Sequence, residues 1–162
     1  MTLRADDASS CFACDLVSGA TPLPGGVIHR TDSWVVEHCV GPLGVGTLIV
    51  KPIRHVAHVS ELEADETAEL GQLLKQAATA VSELTDPEQV YVCLWSHADR
   101  RPGHIHFVVQ PVTGEQMQRF DAHGPALQVA MFESNEVPPT PAVEAFASRA
   151  ASWFIANTPA QP

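Results

Sequence analysis

The spacing of apolar residues divides the chain into predicted strands, one long helix and a helical C-terminal part. Runs rich in β-branched residues at 26–30, 33–40 and 45–51 predict three strands that form an antiparallel meander. Apolar residues then recur at helical spacing over 64–84, which predicts a long helix. Two more strands are expected at 90–95 and 104–110, and the segment 140–158 predicts a C-terminal helix with Pro141 in its first turn.

Length and charge restrict the classes of protein to consider. A chain of 162 residues is most simply one domain, with a motif-bearing core at 11–111 and a C-terminal extension at 112–162. A formal net charge of -10 argues against polymeric nucleic acid as a partner. No segment approaches the roughly 18 apolar residues of a membrane span, and the first ten residues are polar, so we expect a cytoplasmic protein with no membrane partner.

The final predicted strand carries two histidines one residue apart. Side chains two apart on a strand share a face, so His104, His106 and Val108 point one way while Ile105 and Phe107 point toward the core. Such histidines are either satisfied by backbone carbonyls or part of a site. Four of the nine basic residues lie beside the histidine-bearing segments: Lys51, Arg54, Arg100 and Arg101. This clustering favours a small anionic ligand.

A C-x-x-C pair, Cys11 and Cys14, is either a redox dithiol or half of a metal site. A thioredoxin-like dithiol should follow a strand and begin a helix, whereas this pair precedes every predicted strand, which favours a metal. Zinc would need two further ligands, and the candidates are His104 and either His55 or His58. A closed site of this kind is structural and would tie the N-terminal segment to the sheet.

If His104 binds the metal, His106 is left for chemistry about two residue rises, or roughly 6.6 Å, further along the strand. A neutral imidazole can attack phosphorus without prior deprotonation. Flanking cations would offset the charge on the phosphoryl oxygens. His106 is therefore the candidate nucleophile, and Ser96, Arg100 and Arg101 are the candidate phosphate-binding residues.

The order of these motifs resembles the histidine-triad (HIT) family of nucleotide hydrolases and transferases. The resemblance rests on CFACDLVSG, GTLIVKPIRHVAHVSEL, a long helix, a strand and GHIHFVVQP, which follow one another over residues 11–111. It implies an α+β fold with an antiparallel sheet of about five strands and one long helix, usually as a homodimer. It also implies a small-molecule nucleotide substrate, cleaved at the α-phosphate through a nucleotidyl-histidine formed on His106.

The resemblance also implies a metal centre and a ribose-binding residue. Some branches, including the galactose-1-phosphate uridylyltransferases, hold structural Zn²⁺ on positions that correspond here to Cys11, Cys14, His55 and His104. His55 is preferred to His58 because KPIRHV matches the family's segment. The family usually holds the ribose hydroxyls with an acidic residue near the end of the second strand, where Glu37 or His38 stands and Glu37 is the chemically better candidate.

The third position of the triad departs from the family pattern. The family has histidine there, or glutamine in the uridylyltransferase branch, whereas this chain has Val108. Valine can neither hydrogen-bond a phosphoryl group nor support a leaving group. An alternative is therefore a non-catalytic, zinc-stabilised nucleotide-binding module. A third interpretation makes His104 and His106 joint ligands of a catalytic metal, which leaves the cysteine pair without a role.

Overall fold

The fold is built on a five-stranded antiparallel sheet in the order β1-β2-β3-β7-β4. The computed structural model describes residues 11–98 and 101–158. Its strands are β1 (Val27–Arg30), β2 (Trp34–His38), β3 (Leu48–Pro52), β4 (Gln89–Leu94), β5 (His97–Ala98), β6 (Arg101–Pro102) and β7 (Phe107–Val112). The first three form the predicted meander, and β5 pairs with β6 in a separate short hairpin.

Five α-helices accompany the sheet in the described part of the chain. They are α1 (Phe12–Ser18), α2 (Ala64–Thr85), α3 (Gly114–Phe120), α4 (Gly124–Ser134) and α5 (Thr140–Asn157). The long helix α2 begins with a capping box formed by Glu63 and Glu66, and it ends at Asp86 in the left-handed conformation. None of the described helices combines the length and the hydropathy needed to cross a membrane.

One face of the sheet packs against α2 and α5. Trp34, Val36 and Val50 lie in this core with Leu73 of α2 and Phe154 of α5, and all of them are buried. The predicted α+β class, the antiparallel sheet and the long helix are therefore confirmed. The predicted C-terminal helix also forms, and it contributes side chains to the main core.

The opposite face of the sheet is covered by α4, which the sequence did not predict. Leu127 and Met131 of α4 pack with Ile49, Val108 and Val112 in a second apolar cluster. The alternation of side chains along β7 predicts the core on the side that carries Phe107. The structure buries both sides, because residues 112–134 fold back over the sheet.

We expect truncation of Phe154 to show that α5 belongs to the folding unit of the sheet. Phe154 is fully buried and stacks on His29 with ring centroids 4.6 Å apart. Phe154→Ala should lower the free energy of unfolding by about 3 to 5 kcal/mol in a urea titration. The neighbouring Ile155 is 83% exposed, so Ile155→Ala is the matched control and should change the same quantity by less than about 0.5 kcal/mol. Equal effects of the two substitutions would contradict the packing of α5.

Candidate metal centre and histidine site

The two cysteines of the C-x-x-C pair are presented by the first turn of α1. Cys11 is the N-cap residue and Cys14 lies three residues later, so both side chains stand on the same side of the helix. Buried Leu16 anchors the helix, and Gly19 ends it in the left-handed conformation that glycine adopts without strain. This short helix therefore directs two thiols to one place.

Two histidines, one after β3 and one before β7, lie next to these thiols. His55 lies just after β3 and His104 just before β7, and the backbone N–H of Ile105 donates to the Val56 carbonyl at 2.8 Å. The two imidazole rings meet edge to face with centroids 5.1 Å apart. His58, the rival candidate, is exposed at the start of a 3-10 turn at Val59–Glu61 and lies outside this cluster.

The four candidate ligand atoms form a compact cluster, in which three separations match those of a tetrahedral metal site. All lie within 4.8 Å of one another, on Cys11, Cys14, His55 and His104. The Cys14 sulfur is 3.4 Å from Nδ1 of both histidines, and the Cys11 sulfur is 3.8 Å from Nδ1 of His104. A tetrahedral zinc ion with bonds of about 2.0 to 2.3 Å would hold such atoms roughly 3.3 to 3.8 Å apart. The donor set and its geometry therefore fit a metal ion.

The protonation of His104 is suited to ligation. Its Nε2 lies 2.9 Å from the Pro52 carbonyl oxygen, so Nε2 carries the proton and donates it there, while Nδ1 presents a lone pair to the cysteines. Burial lowers the pKa of His104 to about 4, which keeps the ring neutral at physiological pH. Burial, followed by the neighbouring Cys11, raises the pKa of the Cys14 thiol to about 11. A bound cation would counter that shift and displace the thiol proton.

His106 lies beside this cluster with one ring nitrogen engaged. Its Nδ1 is 3.1 Å from the His104 carbonyl oxygen, so in the neutral ring Nδ1–H donates to that oxygen and Nε2 carries the lone pair. Burial lowers the pKa of His106, which favours this neutral form. The ring is partly buried, in contrast to residues 108–112 of β7, which are buried. His106 thus has the protonation state that a nitrogen nucleophile needs.

Val108, at the third triad position, lies inside the second apolar cluster. It is 4% exposed and packs with Leu127 and Met131 of α4. Gln110, the next residue on this face, is also buried, where its amide contacts the Leu43 carbonyl, Met131 and Gln128. This face of β7 is therefore enclosed beyond His106.

Glu37 lies in the middle of the sheet, and its partner is a lysine. Val35 pairs with Lys51 and Glu37 with Ile49, so Glu37 and Lys51 are diagonal neighbours on one face. Lys51 Nζ lies 2.5 Å from Glu37 Oε1. His38 points to the other face, where it accepts from Gly46 N–H and contacts the Cys39 carbonyl. Of the two ribose candidates, Glu37 is the one that shares a face with Val108. The ribose contact itself stays a prediction.

The candidate phosphate-binding residues do not form a cluster comparable to the four candidate metal ligands. The Ser96 hydroxyl lies 2.8 Å from the His104 carbonyl oxygen and 3.0 Å from that of Gly103, so it donates to the backbone before the histidine motif. Arg101 is exposed in β6, and Arg100 lies outside the described residues. Arg54 binds the Glu66 carboxylate through both Nε and Nη2. The phosphate roles of Ser96, Arg100 and Arg101 stay predictions.

The likenesses of this chain to known proteins are found among solved structures. No protein-family model and no curated protein sequence matches it. A HIT-like protein involved in cell-cycle regulation from Bartonella henselae aligns with a TM-score of 0.69 and 16% identity, over 93% of this chain and 99% of that one. A zinc-bound histidine triad family protein from Mycobacterium smegmatis aligns with a TM-score of 0.59 and 18% identity, over 90% of this chain and 99% of that one.

A diadenosine triphosphate hydrolase from Plasmodium falciparum aligns with a TM-score of 0.60 and 13% identity, over 81% of this chain and 77% of that one. These likenesses show that the chain has the HIT fold. The resemblance drawn from its motifs is therefore confirmed at the level of the fold. What these neighbours bind or hydrolyse is a property of those proteins.

Two polar features of the site were missed by the sequence analysis. One is the buried pair of Lys51 and Glu37, and the other is the hydrogen bonding of Gln128 in α4 to Gln110, Cys93 and Trp95. The signal for the first was present, because a lysine and a glutamate each stand inside an otherwise apolar strand. The second had no local signal, since it depends on how α4 folds back.

We expect Cys14→Ser to remove the metal and destabilise the protein, because a hydroxyl is a poor substitute for a thiolate ligand. Elemental analysis of purified protein should give about one zinc ion per wild-type chain and close to none in the variant. The thermal midpoint should fall by roughly 10 °C or more, as it should in wild type treated with a chelator. Cys93→Ser is the matched control and should keep its metal, since Cys93 lies in β4 outside the cluster. Full metal content in Cys14→Ser would exclude this centre.

Proposed function

We propose that the protein is a zinc-stabilised nucleotide hydrolase or nucleotidyltransferase that cleaves at the α-phosphate through a nucleotidyl-histidine on His106. The observation that carries the proposal is the state of His106, whose Nδ1–H is engaged by the His104 carbonyl so that Nε2 is the nucleophilic atom. The HIT fold and the adjacent metal-type cluster support it. The substrate class is a dinucleoside polyphosphate or a nucleoside phosphoramidate.

In this proposal the metal has a structural task. Cys11, Cys14, His55 and His104 would hold zinc in a closed tetrahedral site with no position for water. The ion would hold the segments that carry these ligands in fixed positions. With His104 fixed, the hydrogen bond from His106 to the His104 carbonyl would also fix the orientation of His106.

The chemistry takes two displacements at phosphorus. First, Nε2 of His106 forms a bond to the α-phosphorus, while the bond from phosphorus to the leaving oxygen or nitrogen breaks and its electron pair departs with the leaving group. The leaving group takes a proton from solvent, and the imidazolium keeps Nδ1–H on the His104 carbonyl. Water then attacks phosphorus, the electron pair of the P–N bond returns to Nε2, and the proton of water is lost to solvent. A different acceptor in place of water would make the reaction a transfer.

The remaining contacts are assigned in the same proposal. Arg100, Arg101 and Ser96 would bind phosphoryl oxygens, and Glu37 would hold the ribose hydroxyls. The chain would act as a homodimer, as the resemblance implies, and in the cytoplasm, as expected from the sequence.

We expect His106→Ala to abolish turnover while leaving the metal in place. Purified protein would be incubated with diadenosine tetraphosphate and with an adenosine phosphoramidate, and release of AMP followed. Removal of the nucleophile should lower the rate by roughly 10⁴-fold or more. Acid-quenched wild type should carry a nucleotidyl group that the variant lacks. His123→Ala is the matched control, because His123 is an exposed histidine that precedes α4.

A second candidate function is favoured by the burial of Val108. Because that position is covered by α4, no side chain there could reach a substrate without displacing the helix. The protein would then bind a nucleotide without turning it over. Nucleotide binding by a wild type that releases no AMP from either substrate would support this function and contradict the first.

We expect Val108→His to destabilise the protein rather than to complete a triad. A histidine at this position would bury ring nitrogens among Leu127, Met131 and Ile49, at a cost of about 1 to 3 kcal/mol in the free energy of unfolding. Turnover should not rise. Val108→Leu separates a change in size from the addition of polar atoms. A gain in turnover by Val108→His at unchanged stability would show that position 108 faces the substrate.

A further inference from the structure

Lys51 and Glu37 form a buried ion pair that stability alone does not explain. Their side chains are 1% and 3% exposed, with Nζ 2.5 Å from Oε1. The second carboxylate oxygen of Glu37 has no hydrogen-bond partner among the described residues. Desolvation of two charges commonly outweighs their attraction, and a well-packed apolar pair often replaces such a bridge without loss of stability. The pair is also incompletely satisfied, which lowers its contribution further.

The registers of the sheet place this pair on the same face as His106. Ile49 of β3 pairs with Val108 of β7, so these two side chains stand on one face. Lys51 follows Ile49 by two residues and His106 precedes Val108 by two, which puts both on that face at the same end of the two strands. Glu37 lies on β2, one strand further from β7. The positive end of the ion pair is therefore the end nearer to His106.

The third triad position provides no group that could stabilise a phosphoryl group. Val108 carries neither charge nor hydrogen-bonding group, and it is enclosed beneath α4. Arg54, another cation from the segment that follows β3, is engaged by the Glu66 carboxylate on the side of α2. Lys51 is the buried lysine of the described residues, and its strand is the direct neighbour of β7.

We propose that Lys51 supplies the positive charge that stabilises the phosphoryl group on His106, in place of the missing third triad residue. This inference rests on the proposed function and deepens it. The non-bridging oxygens of the phosphoryl group carry negative charge while it is bound to His106 and during its transfer. A fixed cation in a water-poor interior acts on such charge across several ångströms without contact. Lys51 thus acts through its charge, from its position in the sheet, and does not need to contact the phosphoryl group.

The test compares variants that differ only at position 51. Lys51→Met alone would leave the Glu37 carboxylate buried without a partner, and the protein could fail to fold for that reason. The comparison is therefore Glu37→Gln against the double variants Glu37→Gln/Lys51→Met and Glu37→Gln/Lys51→Arg. Each protein is first checked for zinc content and thermal midpoint. Should the methionine double variant lose zinc, Glu37→Leu/Lys51→Met is compared with Glu37→Leu/Lys51→Arg instead, because an apolar residue at position 37 suits the interior and the two variants again differ only at position 51.

Two readouts separate a charge effect from a structural one. The first is kcat for AMP release, which should be roughly 100-fold lower in the methionine double variant than in Glu37→Gln. The second is the ratio of the affinities for AMP and adenosine, two ligands that differ by the phosphate. This ratio should fall by about 10-fold on loss of Lys51, with adenosine binding unchanged. The arginine double variant should recover most of both effects, since it restores the charge.

The outcomes distinguish this inference from the function on which it rests. A methionine double variant whose kcat and affinity ratio lie within about threefold of those of Glu37→Gln overturns the role of Lys51 and leaves the proposed function standing. A wild type that binds AMP but turns over neither substrate overturns the proposed function, and with it the role of Lys51 toward a group bound to His106. A wild type that neither turns over substrate nor binds AMP overturns both.

Discussion

The histidine site depends on the hydrogen bonds and contacts of one residue, His104. Its Nε2 donates to the Pro52 carbonyl at the end of β3, and its Nδ1 faces the two cysteines presented by α1. Its backbone carbonyl accepts from His106 and from Ser96. One residue therefore joins the metal cluster, two strands and the candidate nucleophile. A metal ion bound at this cluster would fix the ring of His104 and, through the same backbone, the orientation of His106.

The second constraint is that the sheet is buried on both faces. The pattern of the sequence predicted the five strands of the main sheet, the long helix and α5, because each has a clear period or turn signal. The helix α4 was not predicted, since it is apolar on most sides: Leu127 and Met131 are buried while Val129 and Phe132 are exposed. A segment without a distinct polar face gives no amphipathic signal. Val108 is buried because α4 covers it, and the sequence of β7 alone does not indicate that contact.

The candidate metal centre was more accessible to sequence reasoning than the rest of the site. Ligand chemistry nominated Cys11, Cys14, His104 and either His55 or His58, and the family resemblance favoured His55. The structure brings Cys11, Cys14, His55 and His104 together. The pair of Lys51 and Glu37 was different. Each residue interrupts a separate apolar strand, and only the register between β2 and β3 shows that they meet. Contacts that depend on register between strands lie beyond local sequence patterns.

The buried lysine matters because the other charged groups near His106 would not offset the negative charge of a phosphoryl group. A divalent ion held by two thiolates and two neutral imidazoles carries no net charge, so such a centre would fix His104 without offsetting the negative charge of a phosphoryl group on His106. The chain as a whole has a formal net charge of -10, which works against an anionic substrate. Positive charge near His106 must therefore come from individual side chains. Arg101 lies in the exposed hairpin, whereas Lys51 presents the nearer, positive end of its ion pair with Glu37 from within the sheet, where water screens that charge least.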